Sequence, residues 1–264
     1  MRVKQLLYLF FSFLIFSLYS CESNDGDLIK GNPYITTNNK ALVELFTNTY
    51  CIPCVAANTY LDNIDSLKGI TSNDTNVIIV RVHSTFNTND PFHQFCQPLN
   101  LARETYYNVI GNPKGYLMGN SLGSFNSSNW TAQMNTQMQQ SNSIGIRLTN
   151  TYDSTANTGT LNIYLSQVSG SQLTDPVMHV LVVENGIMLN PPAPNGEVYF
   201  DNTMRDCLSD KDGDPFSIIP GQALTFQKNY TIKTGVNPAN TYFVVFVQGK
   251  SAKTVFGVNK INVK

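Results

Sequence analysis

The chain has 264 residues, a net charge of −1 and a sequence pI near 6.3. Only 13% of its residues are charged, which excludes the basic field that holds nucleic acid, while 42% are apolar, enough for two modest cores. A composition rich in Asn, Thr and Ser suits a secreted β-rich protein better than a helical cytosolic enzyme.

Arg2 and Lys4 precede the apolar run QLLYLFFSFLIFSLYS, which is too short for a comfortable membrane span. The run ends in Leu18–Tyr19–Ser20–Cys21, which resembles a bacterial lipobox with Leu at −3, small Ser at −1 and Cys at +1. That resemblance implies a lipoprotein signal peptide over residues 1–20, cleaved before Cys21, and lipidation of the Cys21 thiol. The membrane is then a partner through the lipid anchor, each buried acyl methylene contributing about 0.8 kcal/mol. An ordinary secretory signal and an uncleaved anchor are the other readings of this stretch. Residues 21–39 are polar and rich in Gly and Asn, the composition of a tether.

A first domain is expected over residues 40–141. Ala41–Phe46 reads as a buried strand, and residues 55–67 (VAANTYLDNIDSL) as a helix with Ala56, Tyr60, Leu61 and Ile64 inward. Between them stand Tyr50, Cys51, Ile52, Pro53 and Cys54. At a helix start, free backbone N–H groups and the helix dipole favour a Cys51 thiolate, and Pro53 suits the first turn. Cys54 is placed to resolve a mixed disulfide formed on Cys51. Residues 68–75 read as a loop and 76–83 (NVIIVRVH) as a strand covered on both faces, completing a right-handed βαβ unit. An insertion-like stretch over 84–100 holds His93 and Cys96. A helix over 101–109 leads to Gly111–Asn112–Pro113, a hairpin with strands 116–118 and 121–125, and a closing helix over 130–140.

Strand, C-x-P-C, helix, strand and then Gly-Asn-Pro before a further strand resembles a thioredoxin-fold active site. The resemblance implies that Pro113 is a cis-proline facing the dithiol, where it positions a substrate strand. Glu44 resembles the buried strand acid that carries protons in thioredoxins, one residue out of register. Tyr50 stands where Trp is usual, Ile52 where a small residue is usual, and Asn112 where Thr or Val is usual.

From Ile144 the pattern changes to short strands. Residues 144–169 read as two alternating strands joined by a turn at Asn157–Gly159, with further strands at 177–184, 223–232, 241–248 and 254–263. This spacing, without a long helical pattern, predicts an antiparallel β-sandwich over 142–264. The expected fold class is therefore an α/β thioredoxin-like domain followed by an all-β immunoglobulin-like sandwich domain.

The lipobox, the C-x-P-C segment, VLVVEN (180–185), EVYFDNTMRD (197–206) and GDPF (213–216) together resemble the family related to the 28-kilodalton outer membrane protein of Bacteroidetes-type bacteria. Asp201 stands where that family's pattern has His. The resemblance covers Ala41 to the C-terminus and implies an envelope location, periplasmic or surface-exposed, and the two-domain build. It supplies no substrate.

With Cys21 set aside for lipid, four cysteines remain. Cys51 and Cys54 are the natural local pair, and Cys96 and Cys207 are either a second bridge or free thiols. Three functions are open. One is thiol–disulfide exchange on an envelope protein or peptide thiol, with Cys51 attacking, Cys54 resolving and Pro113 positioning; its counterpart is a structural Cys51–Cys54 disulfide without turnover. A second is a non-catalytic binding or adhesion protein using the sandwich loops or residues 199–214. A third is a copper or zinc site from Cys51, Cys54, His83, His93 and Cys96, which needs ligands from a distant insertion to converge. The preferred expectation is no metal, no cofactor and no nucleic-acid partner.

Overall fold

The computed structural model describes residues 39–64 and 76–264. The signal peptide, Cys21, nearly all of the tether and the last turn of the first predicted helix lie outside the described residues.

Ala41–Thr47 (β1) is buried along its whole length, as its unbroken apolar run requires. The chain passes through the dithiol into the helix Cys54–Asp62 (α1) and returns as Val77–His83 (β2), parallel to β1 with Thr47 opposite His83. The predicted insertion is ordered into the short helix Pro91–Phe95 (α2) and the start of Gln97–Tyr107 (α3), each with proline in its first turn. The latter ends on Asn108 in the left-handed conformation, a helix stop read in the sequence two residues further on. After the cis Asn112–Pro113 bond, Lys114–Leu117 (β3) runs antiparallel to β1 and pairs with the two-residue Asn120–Ser121 (β4). The closing helix, Ser127–Gln137 (α4), is capped by Asn126 and seats Trp130 against Gly115. A β-carbon at Gly115 would lie 2.6 Å from the indole, so only glycine fits there.

The second half contributes Ile144–Asp153 (β5), Thr158–Gln167 (β6), Pro176–Glu184 (β7), Ile187–Met188 (β8), Tyr199–Phe200 (β9), Thr203–Cys207 (β10), Asp214–Pro215 (β11), Ala223–Thr231 (β12), Thr241–Gly249 (β13) and Val255–Asn262 (β14). Strands β12, β6 and β5 form an antiparallel sheet. Its inner side chains, among them Leu161, Ile163 and Leu165, pack on Val180, Val182 and Val245 of the facing layer.

That facing layer crosses the predicted boundary at 141/142. Its order is β14-β13-β7-β10-β2-β1-β3-β4, with β11 added on β7. The join is β10, antiparallel to β7 and parallel to β2 through Thr203 and Arg81. Its sequence, TMRDC, has two charges and no apolar alternation, and so it carries no strand signal of its own. Its neighbours' unpaired edges make it a strand. The chain is thus mostly β, with few helices, around a mixed sheet.

Helix α3 covers one face of this sheet across the join. Arg103 forms a bidentate pair with Glu44 on β1, at 2.9 and 2.7 Å, and donates to Gln248 on β13 at 3.2 Å. Tyr107 Oη donates to Glu44 at 2.6 Å and accepts from Gln248 at 2.9 Å. His179 on β7 lies 3.4 Å from the guanidinium, and burial, followed by that positive charge, pushes its pKa well below the ordinary imidazole value. A buried ion pair of the first half is therefore hydrogen-bonded to Gln248 of the second.

Candidate functional site

Cys51 and Cys54 form a disulfide, with their Cα atoms 5.3 Å apart. Cys54 opens α1, and Cys51 sits three residues ahead of it, its carbonyl accepting the Cys54 N–H at 3.2 Å. Cys51 is 1% exposed and Cys54 0%, whereas Ile52 between them is 73% exposed. The ring thus presents Ile52 to solvent and turns both sulfurs inward.

The loop carrying Cys51 is fixed from below by Asp90. Its carboxylate accepts from the Thr49 N–H at 2.7 Å and His83 Nδ1 at 2.8 Å, and caps α2 through the N–H groups of Phe92 and His93. Burial alone would raise the Asp90 pKa. The His83 charge, its hydrogen bond and the backbone donors outweigh that and hold it below the usual carboxylate value. His93 Nδ1 lies 2.9 Å from the His83 carbonyl, while Nε2 of both histidines and the Thr49 hydroxyl are buried without a protein partner. Asn48 Nδ2 donates to the carbonyls of Ser84 and Asn87, and Asn112 donates to the Ser84 hydroxyl. The turn holding Pro113 is in this way tied through Ser84 to the loop before the dithiol.

A second polar cluster lies under α1. Asn58, one turn after Cys54, donates to Thr47 Oγ1 at 3.2 Å and to Glu197 at 2.8 Å. Arg81 donates to the Asn58 side chain at 3.1 Å, to Asp62 at 2.5 Å and to the Asp201 carbonyl at 2.7 Å. Glu197 and Asp201 belong to the 197–206 segment singled out in the sequence, and its other members are placed as firmly. Phe200 packs on Phe92, Thr203 joins β10 to β2, and the Arg205 guanidinium stacks 3.9 Å above the Phe95 ring.

Several expectations change. Glu44 is on the opposite face of β1 from α1, because side chains alternate and Thr47, three residues on, faces Asn58. Engaged by Arg103 and Tyr107, it is not the proton-carrying acid of the dithiol. The Cys96–Cys207 bridge is not formed here: both are free thiols, and Cys207 Sγ donates to the Ser209 carbonyl at 3.0 Å. Burial, then the charge of Asp206, pushes Cys96 up to about 12 and Cys207 up to about 11, so neither is a ready thiolate. The five residues weighed as metal ligands do not converge, and among the described residues no group of three or more His, Cys, Asp or Glu side chains could hold a metal ion.

Asp90, Asn58, Arg81 and Asn195 were not picked out from the sequence. Asp90 had a readable signal, since Asp before Pro91 is a helix start with proline at the first position. The other three owe their place to distant partners as well as near ones, Asn58 to Glu197, Arg81 to the Asp201 carbonyl and Asn195 to the Cys51 carbonyl, which periodicity does not report.

Residues 100–264 match the family model described as outer membrane protein Omp28, a range that begins in α3 and leaves the dithiol outside it. Among solved structures, HBP35 of Porphyromonas gingivalis aligns over 87% of this chain and 76% of its own, with 14% identity and a TM-score of 0.72. A domain of the outer membrane lipoprotein Omp28 from Porphyromonas gingivalis aligns over 47% of this chain and 89% of its own, with 14% identity and a TM-score of 0.34. No curated protein matches the chain.

Proposed function

The chain belongs to the Omp28 outer membrane protein family, and we propose that it is a membrane-anchored protein that exchanges disulfides in the cell envelope. It is an outer membrane lipoprotein, in keeping with the family and with the lipobox at Leu18–Cys21. The anchor is the lipid on Cys21, residues 21–39 are the tether, residues 40–141 are a thioredoxin-like domain, and residues 142–264 are an immunoglobulin-like sandwich that shares its sheet with the first domain.

The observation that carries the reading is the Cys51–Cys54 disulfide at the start of α1, with the turn of the cis Asn112–Pro113 bond tied through Ser84 to the loop before it. A disulfide closing so short a ring restrains little unfolded-state entropy, which makes it a poor staple and a better redox couple. Cys51 attacks or is attacked, Cys54 resolves, and Pro113 orients the partner strand. The partner is a cysteine-bearing envelope protein or peptide. Reduction of insulin by the chain from Glu22 onward, abolished by Cys51→Ser, is the expected outcome; equal activity in the variant would overturn the reading. The second reading is an envelope binding or adhesion protein with a structural Cys51–Cys54 bond, and the burial of both sulfurs favours it.

A further inference from the structure

Between β7 and β10 the chain leaves the main sheet as a hairpin, Ile187–Phe200, whose arms are β8 and β9. Its feet are fixed. The Gly186 N–H donates to Asp201 at 2.6 Å, the Asn202 N–H to Asn185 at 2.7 Å, and Arg81 holds the Asp201 carbonyl. Its body rests on α2, with the Phe200 and Phe92 rings 4.8 Å apart.

Its tip lies on the dithiol loop. The Asn195 N–H donates to the Thr49 carbonyl at 3.0 Å, and Asn195 Nδ2 reaches the Cys51 carbonyl at 3.5 Å. The Glu197 carboxylate accepts from Asn58 under Cys54 and from Asn195 Nδ2 at 2.5 Å, so Asn195 holds the tip on the Cys51 side of the disulfide and Glu197 holds it on the Cys54 side. Of the tip's residues 190–198 only Ala193 is buried, in a small apolar cluster with Phe92 and Phe200, and the part of the tip that meets the dithiol loop is held by polar contacts. Contacts of that kind open locally at far less cost than a packed strand.

We propose that this hairpin is a latch on the dithiol, with Asn195 and Glu197 as its positioning residues. Latched, it keeps Cys51–Cys54 away from attacking thiolates; unlatched, it presents Cys51 Sγ. The proposal rests on the exchange reading above and assigns control of that exchange to a segment more than 130 residues beyond the C-x-P-C motif. On opening, a partner thiolate attacks Cys51 Sγ, a new S–S bond forms, and the Cys51–Cys54 bond breaks. Cys54 leaves as a thiolate and takes a proton from solvent. A second partner thiolate then attacks the partner sulfur of the mixed disulfide and releases Cys51, so the partner dithiol is oxidised by two electrons and the protein disulfide is reduced.

The test is the rate at which excess dithiothreitol reduces Cys51–Cys54 in the chain from Glu22 onward, followed by quenching and mass analysis of alkylated cysteines. Asn195→Ala combined with Glu197→Ala is compared with the native sequence. Tyr230→Phe, at the far end of the second sheet, serves as a control, and urea midpoints are measured for all three. Removing the latch bonds is expected to speed reduction about tenfold or more while the control leaves it unchanged. An unchanged rate overturns the proposal, as does a rise that only tracks the fall in urea midpoint. If the double variant does not fold, Asn195→Ala alone carries the same two outcomes. Dithiothreitol needs no turnover by the protein, so loss of insulin activity in the native chain would sink the exchange reading and leave the latch result standing.

Discussion

Asp90 is the residue on which the candidate site turns. One carboxylate orients His83, caps α2 and holds the backbone of Thr49, two residues before Cys51. Asp90→Ala leaves four buried donors without their acceptor and is expected to lower stability by about 3 kcal/mol. The pH dependence follows from the direction of its shift. A carboxyl held below its ordinary value of 3.8 stabilises the fold above that value, and the contribution fades as pH falls through the lower folded value. Urea titrations of the two proteins should therefore differ most at neutral pH, and the gap should narrow as pH falls below about 3.8. A gap that stays constant into acid would show that Asp90 acts through shape alone.

At the scale of elements, α3 is the brace between the strands of the two halves. Breaking its buried pair by Glu44→Ala leaves the Arg103 charge unpaired in the core and is expected to cost about 3–5 kcal/mol, read from the urea midpoint. Replacing both partners by apolar residues should recover much of that loss. The elements that build this region differ in how plainly the sequence shows them. β1, β2, β7 and β13 are continuous apolar runs and were readable as buried strands, as was the C-x-P-C turn into α1. The hairpin of β5 and β6 showed through its alternation. β10 did not, because two charged residues in five hide its pleat and its pairing is imposed by the edges of β7 and β2. Glu44 was legible as a buried acid, but which face it takes depends on the register of β1 against α1, and a one-residue offset reverses it. Asn195 and Glu197 looked like loop residues because their partners lie near residue 50.

Across the whole molecule, one mixed sheet joins strands from residues 41–121 to strands from residues 176–262, and the site borrows from both. β1, α1, β2 and α2 supply the disulfide, Asn58, His83 and Asp90, and the hairpin after β7 supplies Asn195 and Glu197. The family match over residues 100–264 leaves the dithiol at 51–54 outside it, but the matched range includes the Asn195 segment that hydrogen-bonds to the dithiol loop. A lipid anchor and a tether would let such a site meet partners near the outer membrane, in a compartment where exposed thiols are readily oxidised. The most direct measurement is the redox equilibrium of Cys51–Cys54 in the chain from Glu22 onward, titrated against a glutathione or dithiothreitol series and read by thiol alkylation. A potential between about −120 and −270 mV, the range of exchange catalysts, is the predicted result. A value below about −300 mV would contradict the account and mark the disulfide as structural.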